Sequence, residues 1–259
     1  MGRAICQGLI ASGLVHPKRL TVVEPVLERR AQLARDLGVR CTPSSRPAAA
    51  DADLLVLAVK PQVFASVAEE LRRSISSGSL VLSVMAGTST SAIASQLSHG
   101  AVVRAMPNAA AQIGRSITVW YATPAVSARQ RSAARAVLGA IGEAIEVDSE
   151  EQLDRATALS GSGPAFACLM VEAIVEGGVA IGFPRSLALR LATSTLQGTA
   201  SLLSQEGTHP ALIRESITSP GGTTAAGVLA LEQRAVRAAY MEAVQAAYHR
   251  ARELGSEPC

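Results

Sequence analysis

The stretch Asp53 to Val59, DLLVLAV, is almost wholly apolar and stops at Lys60-Pro61. A short apolar run without alternation is what a strand buried on both faces requires, and such strands belong to parallel sheets covered by helices on each side. Further runs of this kind lie at Leu80 to Met85, Val102 to Met106 and Ile117 to Tyr121. A shorter one, Leu20 to Glu24, comes before them, and Gly142 to Val147 reads as the last strand. Helical patterns over 3–12, 26–37, 62–72, 89–97 and 127–141 alternate with these runs. That alternation predicts an α/β domain built on a doubly wound parallel sheet.

Beyond Asp148 the pattern changes. Asp148-Ser149-Glu150-Glu151 is a helix start with acids in the first turn, and no convincing strand follows it. Segments 150–159, 166–181, 186–204, 210–216, 224–233 and 234–254 all suit helices. The expected organisation is therefore a sheet domain over 1–148 and an all-α domain over 149–259. Hydrophobic residues make up 48% of the 259 positions and charged residues 17%, enough for large cores. The helices of the second half, as in Ala165 to Gly182, are apolar over wider arcs than a bundle of this size can bury against itself, which points to an intimate homo-oligomer.

Several classes of function are disfavoured. The 24 basic and 21 acidic residues are spread along the chain with no basic block, and the chain has three Tyr, three Phe and one Trp, so nucleic acid is not an expected partner. Cys6, Cys41, Cys168 and Cys259, and likewise His16, His99, His209 and His249, show neither metal-ligand spacing nor a CxxC pair, so no metal is expected. No run reaches the roughly 18 uninterrupted apolar residues of a membrane span, and the start lacks signal-peptide features, so a cytoplasmic location with no membrane partner is expected.

In doubly wound sheets ligands bind beyond the carboxyl ends of the strands. The residues there are Glu24-Pro25, Lys60-Pro61-Gln62, Ala86-Gly87-Thr88 and Pro107-Asn108-Ala109, small, turn-forming or polar groups that let a flat ligand lie against backbone. An acid at the position of Glu24 commonly binds the adenosine ribose of a dinucleotide, whereas Arg29 and Arg30 nearby could reach a 2′-phosphate, so NADH and NADPH both remain open. Met1-Gly2-Arg3 resembles the tail of a dinucleotide-binding glycine turn, with Gly2 as its last glycine. The first strand and earlier glycines are then expected upstream, about ten residues in all.

Two turns stand out in the second half. Ile217 to Gly227, ITSPGGTTAAG, joins a turn entry, two glycines and a helix start whose free N–H groups attract a carboxylate. Ser160-Gly161-Ser162-Gly163-Pro164 reads as a second such turn, interrupting the helices before Pro164 opens the next one.

Taken together, ALSGSGPAF at 158–166, ITSPGGTT at 217–224, AVKPQ at 58–62 and RAMPN at 104–108 resemble pyrroline-5-carboxylate reductase over essentially the whole chain. The resemblance implies a Rossmann-type sheet followed by an all-α dimerisation domain, a homodimer that can build a ring of dimers, and reduction of L-1-pyrroline-5-carboxylate to L-proline, the last step of proline biosynthesis, by NADPH or NADH. It implies Thr224 as the catalytic position. Glu150, Ser160, Gly161, Ser162, Gly163, Ser219, Gly221, Gly222, Thr223 and Thr224 become the substrate-binding set. Met1, Gly2, Glu24, Ala58, Val59, Lys60, Met85, Ala86 and Asn108 become the cofactor-binding set. Two rival readings stay open. One is another imine or hydroxyacid reductase on the same scaffold, although 150–160 lacks the lysine that a hydroxyacid enzyme would want. The other is a catalytically impaired, truncated relative.

Overall fold

The computed structural model describes residues 1–205, 207 and 209–256; Cys259, one of the four cysteines, lies outside them. The chain divides into two compact units, Met1–Ser162 together with the chain from Ala246 onward, and Gly163–Gln245. The second division falls within the helix Val236–Ser256, which starts in one unit and ends in the other.

The first unit opens on α1 (Gly2–Ala11), followed by β1 (Thr21–Val23), α2 (Leu27–Leu37), β2 (Arg40–Thr42), α3 (Ser45–Ala50), β3 (Leu54–Leu57), α4 (Phe64–Leu71), β4 (Leu80–Ser83), α5 (Thr90–Leu97), β5 (Val102–Met106), β6 (Ser116–Ala122), α6 (Ala128–Gly139), β7 (Gly142–Glu146) and α7 (Glu151–Ala156). Strands β3-β4-β5-β6-β7 form one sheet in that order, and β1-β2 form a separate parallel pair. All neighbours in the larger sheet are parallel except β5 and β6. The alternation of strand and helix matches the expected class. The short strand β2 and helix α3 went unread in the sequence, and the antiparallel β6 qualifies the all-parallel expectation. RCT is too short and too polar to register as an apolar run, and its pairing with β1 defines it.

Burial explains why the central strands were legible. Every residue of β4 and β5 is buried, and their side chains split between two cores. Leu82, Val103, Trp120 and Leu138 pack with Ile5 and Leu9 of α1 on one face. Val81, Val102, Phe64, Met85 and Ile93 pack on the other. Helix ends are set locally. Ser127 and Gln130 form a capping box at α6, Ser89 accepts the Ala92 N–H at α5, and Gly38 ends α2 with φ +66°.

The second unit contains α8 (Gly163–Ala180), α9 (Arg185–Leu203), α10 (Pro210–Ser216), α11 (Thr223–Gln233) and most of α12 (Val236–Ser256). Its buried hydrophobic cluster is small: Val175, Ala188 and Ala192, with Val171 and Val179 beside them. Leu169, Ile174, Leu191, Leu229, Leu231 and Met241 are exposed. The helix from Glu151 to Ala180, of mean hydropathy 1.5, is long and apolar enough to cross a membrane by length and composition alone. A core helix covered by a second copy passes the same test.

A further element departs from the sequence reading. Ser160 to Pro164 is not a turn between helices: α7 runs into α8 through a π turn at Thr157–Gly161, closed by the Ser162 N–H on the Thr157 carbonyl at 2.9 Å. Pro164 has no N–H to offer the carbonyl one turn before it, and its ring would crowd that carbonyl. Inserting one residue per turn relieves both problems, and small residues with hydroxyls accept the wider turn. Thr157, Ser160 and Ser162 donate their hydroxyls to the carbonyls of Leu153, Ala156 and Thr157.

Candidate active site

The expected cofactor residues fall on one unit. Gly2 lies against the end of β3, since a Cβ at position 2 would stand 3.3 Å from the Ala58 Cβ. The N-terminal turn of α1, which has no side-chain cap, is thereby placed beside Ala58. Unbonded amides at a helix start and a glycine allowing close backbone approach fit a pyrophosphate.

Glu24 follows β1 and accepts the Val26 N–H at 3.0 Å, opening α2. Arg30 reaches back over the same turn and donates to the carbonyls of Glu24 at 2.8 Å and Pro25 at 3.2 Å. An acid and a guanidinium thus share one turn, as the sequence anticipated.

At the end of β4 the groups differ in kind. Met85 is buried in the core and its N–H is held by the Ser83 hydroxyl, so neither its side chain nor its amide is open to a ligand. Ala86 is exposed, Gly87 has φ +68°, and the buried Thr88 hydroxyl has no hydrogen-bond partner among the described residues. After β5, Asn108 accepts the Ala110 N–H at 3.1 Å and donates its own N–H to Ser116, which fixes the Pro107-Asn108 turn.

Gly161 lies beside this region, since a Cβ added there would stand 4.0 Å from Met106 Cγ. Glu150 is held differently from an open substrate ligand. Its Oε1 accepts the Thr90 N–H at 2.8 Å and Arg104 Nη1 at 3.0 Å, and its Oε2 accepts the Thr90 hydroxyl at 2.7 Å. Arg104 also donates Nη2 to Asp154 at 3.0 Å. This cluster was missed in the sequence. The signal was present: Arg104 sits inside VVRAM, a strand buried on both faces, and a buried guanidinium demands buried acceptors. Next to it, the Arg155 guanidinium beside Glu151 holds that carboxyl below the usual carboxylate range.

On the second unit, Ser219 to Thr224 form a tight turn leading into α11. Gly222 donates its N–H to the Ser219 carbonyl at 3.0 Å, and Gly221 takes φ +70°. A Cβ at Gly222 would stand 3.1 Å from the Ser219 carbonyl oxygen, so the turn closes well only around glycine. Gly222 is itself the N-cap, and no side chain caps the helix. The first amides of α11 are consequently open to an anion, with Thr223 exposed and Thr224 half-buried. Among the described residues no group of three or more His, Cys, Asp or Glu is placed to hold a metal ion.

Residues 150–254 match the family model described as pyrroline-5-carboxylate reductase dimerisation. A pyrroline-5-carboxylate reductase from Synechocystis is 42% identical over 99% of this chain and 96% of its own length. The chain belongs to the pyrroline-5-carboxylate reductase family. Residues 1–87 also match the model described as NADP oxidoreductase, coenzyme F420-dependent. The pyrroline-5-carboxylate reductase from Coxiella burnetii has a similar structure, with a TM-score of 0.90 at 35% identity, covering 99% of this chain and 95% of that one. The Plasmodium falciparum pyrroline carboxylate reductase, solved with NADP bound, also aligns with a TM-score of 0.90, at 26% identity over 99% and 95% of the two chains.

Proposed function

We propose that this chain reduces L-1-pyrroline-5-carboxylate to L-proline with NAD(P)H as a cytoplasmic homodimer, the form from which a ring of dimers is built. The observation that carries this reading is the uncapped α11 start behind Ser219-Pro220-Gly221-Gly222, within a chain of this family. A reduced nicotinamide supplies the hydride. The chain's own residues bind, orient and desolvate. The Gly222 amide closes the turn on the Ser219 carbonyl, so the amides of Thr223 and Thr224 hold the substrate carboxylate, and the Thr224 hydroxyl orients the ring nitrogen so that the C=N carbon is electron-poor. The nitrogen carries a proton throughout, the hydride adds to carbon, and proline leaves with both.

Gly2, Ala58, Val59, Lys60, Ala86 and Asn108 supply the cofactor side, with Glu24 and Arg30 at its adenosine end. The orphan Thr88 hydroxyl and the glycine-lined approach at Gly2 suit a ligand that brings hydrogen-bonding groups to backbone. The open apolar surface of α8, α9 and α11 supports pairing with a second copy, since burying it is favourable by about 25 cal/mol per Å². The test is NAD(P)H oxidation by purified protein that depends on added pyrroline-5-carboxylate and yields proline. Protein that binds NAD(P)H and leaves the imine untouched would favour the impaired-relative reading.

A further inference from the structure

We propose that Arg104 is a positioning residue for imine reduction, clamping the cofactor-side strand ends to the helix that carries Ser160–Ser162. The proposal rests on the reductase reading given above. Arg104 is 3% exposed, and its two terminal nitrogens take separate carboxylates, Glu150 and Asp154, both on the short stretch that starts α7. Glu150 in turn holds the first residue of α5 through both the amide and the hydroxyl of Thr90. One guanidinium therefore ties together three segments of the same unit. The first is the strand that runs into Met106-Pro107-Asn108. The second is the helix start that follows Ala86-Gly87-Thr88. The third is α7, which continues into the π turn at Thr157–Gly161.

The arrangement has the marks of alignment rather than of adhesion. A buried ion cluster is seldom more stabilising than apolar side chains of the same volume, because each charge must first be stripped of water. Here the neighbouring positions of β5, Val102, Val103, Ala105 and Met106, are apolar, so an apolar residue at 104 would fit the strand. Arg104 Nε has no hydrogen-bond partner among the described residues, a further cost of keeping the charge. What the fork gives in return is geometry. Two nitrogens fixed in one plane set the two carboxylates of α7 at a defined height over β5, which a flexible ammonium cannot do. Gly161, at the far end of the same link, faces Met106, whose Cγ would stand 4.0 Å from a Cβ added there, so a rotation of α7 displaces the serine-glycine turn relative to Asn108. A displacement on the order of 1 Å at a reacting centre costs about a hundredfold in rate.

The test compares Arg104→Lys and Arg104→Met with the wild-type full-length chain. NADPH titration by fluorescence counts the competent sites, and steady-state kinetics gives kcat and KM for pyrroline-5-carboxylate. Amide hydrogen exchange follows the segments 87–90 and 157–162. Arg104→Lys keeps the charge and should bind one NADPH per chain, with Kd and KM within about threefold of wild type and kcat lower by about tenfold or more. Exchange should quicken at 87–90 and 157–162 and stay unchanged across β4. Arg104→Met should show the same pattern with a larger loss of kcat. Wild-type kcat in Arg104→Lys, or a loss of NADPH stoichiometry that accounts for all of the fall in kcat, overturns the proposal in favour of a merely structural role. If the wild-type chain fails to reduce the imine, the reductase reading falls, and unchanged exchange in both variants then refutes the clamp independently.

Discussion

Strand β4 and helix α8 are both strongly apolar, yet they end in opposite environments. Leu80, Val81, Leu82 and Ser83 are all buried by their own unit. In α8 only Val175 is buried, while Leu169 remains 67% exposed and Ile174 53%. A sheet flanked by helices on both faces saturates its hydrophobic residues within one chain. A pair of long helices with few neighbours cannot, so the second unit carries apolar surface that its own chain leaves open. The same contrast runs through the site residues. The turns after β3, β4 and β5 are anchored by a core made in one chain, and the SPGGTT loop belongs to the unit whose apolar helix faces stay exposed.

The sharpest way to break this contrast is to put a charge on the open helix face. Ile174→Glu should convert the dimer to monomer in sedimentation or light scattering and abolish activity, because an unpaired buried carboxylate costs several kcal/mol. Retention of the dimer would place the interface elsewhere. Leu82→Ala probes the opposite side. Thermal or denaturant unfolding should show a loss of about 2 to 5 kcal/mol, the cost of a large-to-small change in a closed core, with the dimer kept. Thr224→Ala should lower kcat/KM by about ten- to a hundredfold, as for a lost active-site hydrogen bond, with the melting temperature nearly unchanged.

The smallest effect is expected at Glu70. Ser45, whose N–H donates to Glu70 Oε1 at 3.0 Å, and the Ser44 hydroxyl, which donates to the same oxygen at 3.2 Å, hold its carboxyl below the ordinary value of 4.5. A carboxylate with a lowered folded pKa adds stability that is fully present above 4.5 and is lost as pH falls through the folded value. Glu70→Gln should therefore lower the melting temperature at neutral pH by about 1 to 2 °C, and the difference from wild type should vanish in acid. An equal difference at all pH values would assign the effect to lost packing instead.

Much of this was readable from the chain, for identifiable reasons. β3, β4 and β5 were legible because burial on both faces leaves an unbroken apolar run, and α6 because a helical pattern fills 127–141 between two such runs. β2 was not, since three residues paired only to β1 carry no periodic signal. Ser160 to Pro164 misled for a physical reason: glycine, serine and proline mark turns in general, yet here they serve a widened helical turn. The motif residues Gly221, Gly222 and Thr224 could be singled out by their turn chemistry. The Arg104 cluster could not be assembled in advance, because its partners come from residues 90, 150 and 154, and only the topology brings them together.

The most direct measurement follows the hydride itself. Wild-type protein is given pyrroline-5-carboxylate and NADPH deuterated at the transferable position of the nicotinamide, and the product is examined by NMR. The account predicts L-proline carrying one deuterium on the ring carbon bonded to nitrogen and remote from the carboxylate. Proline without deuterium there, or no proline from protein that binds the cofactor, would contradict it.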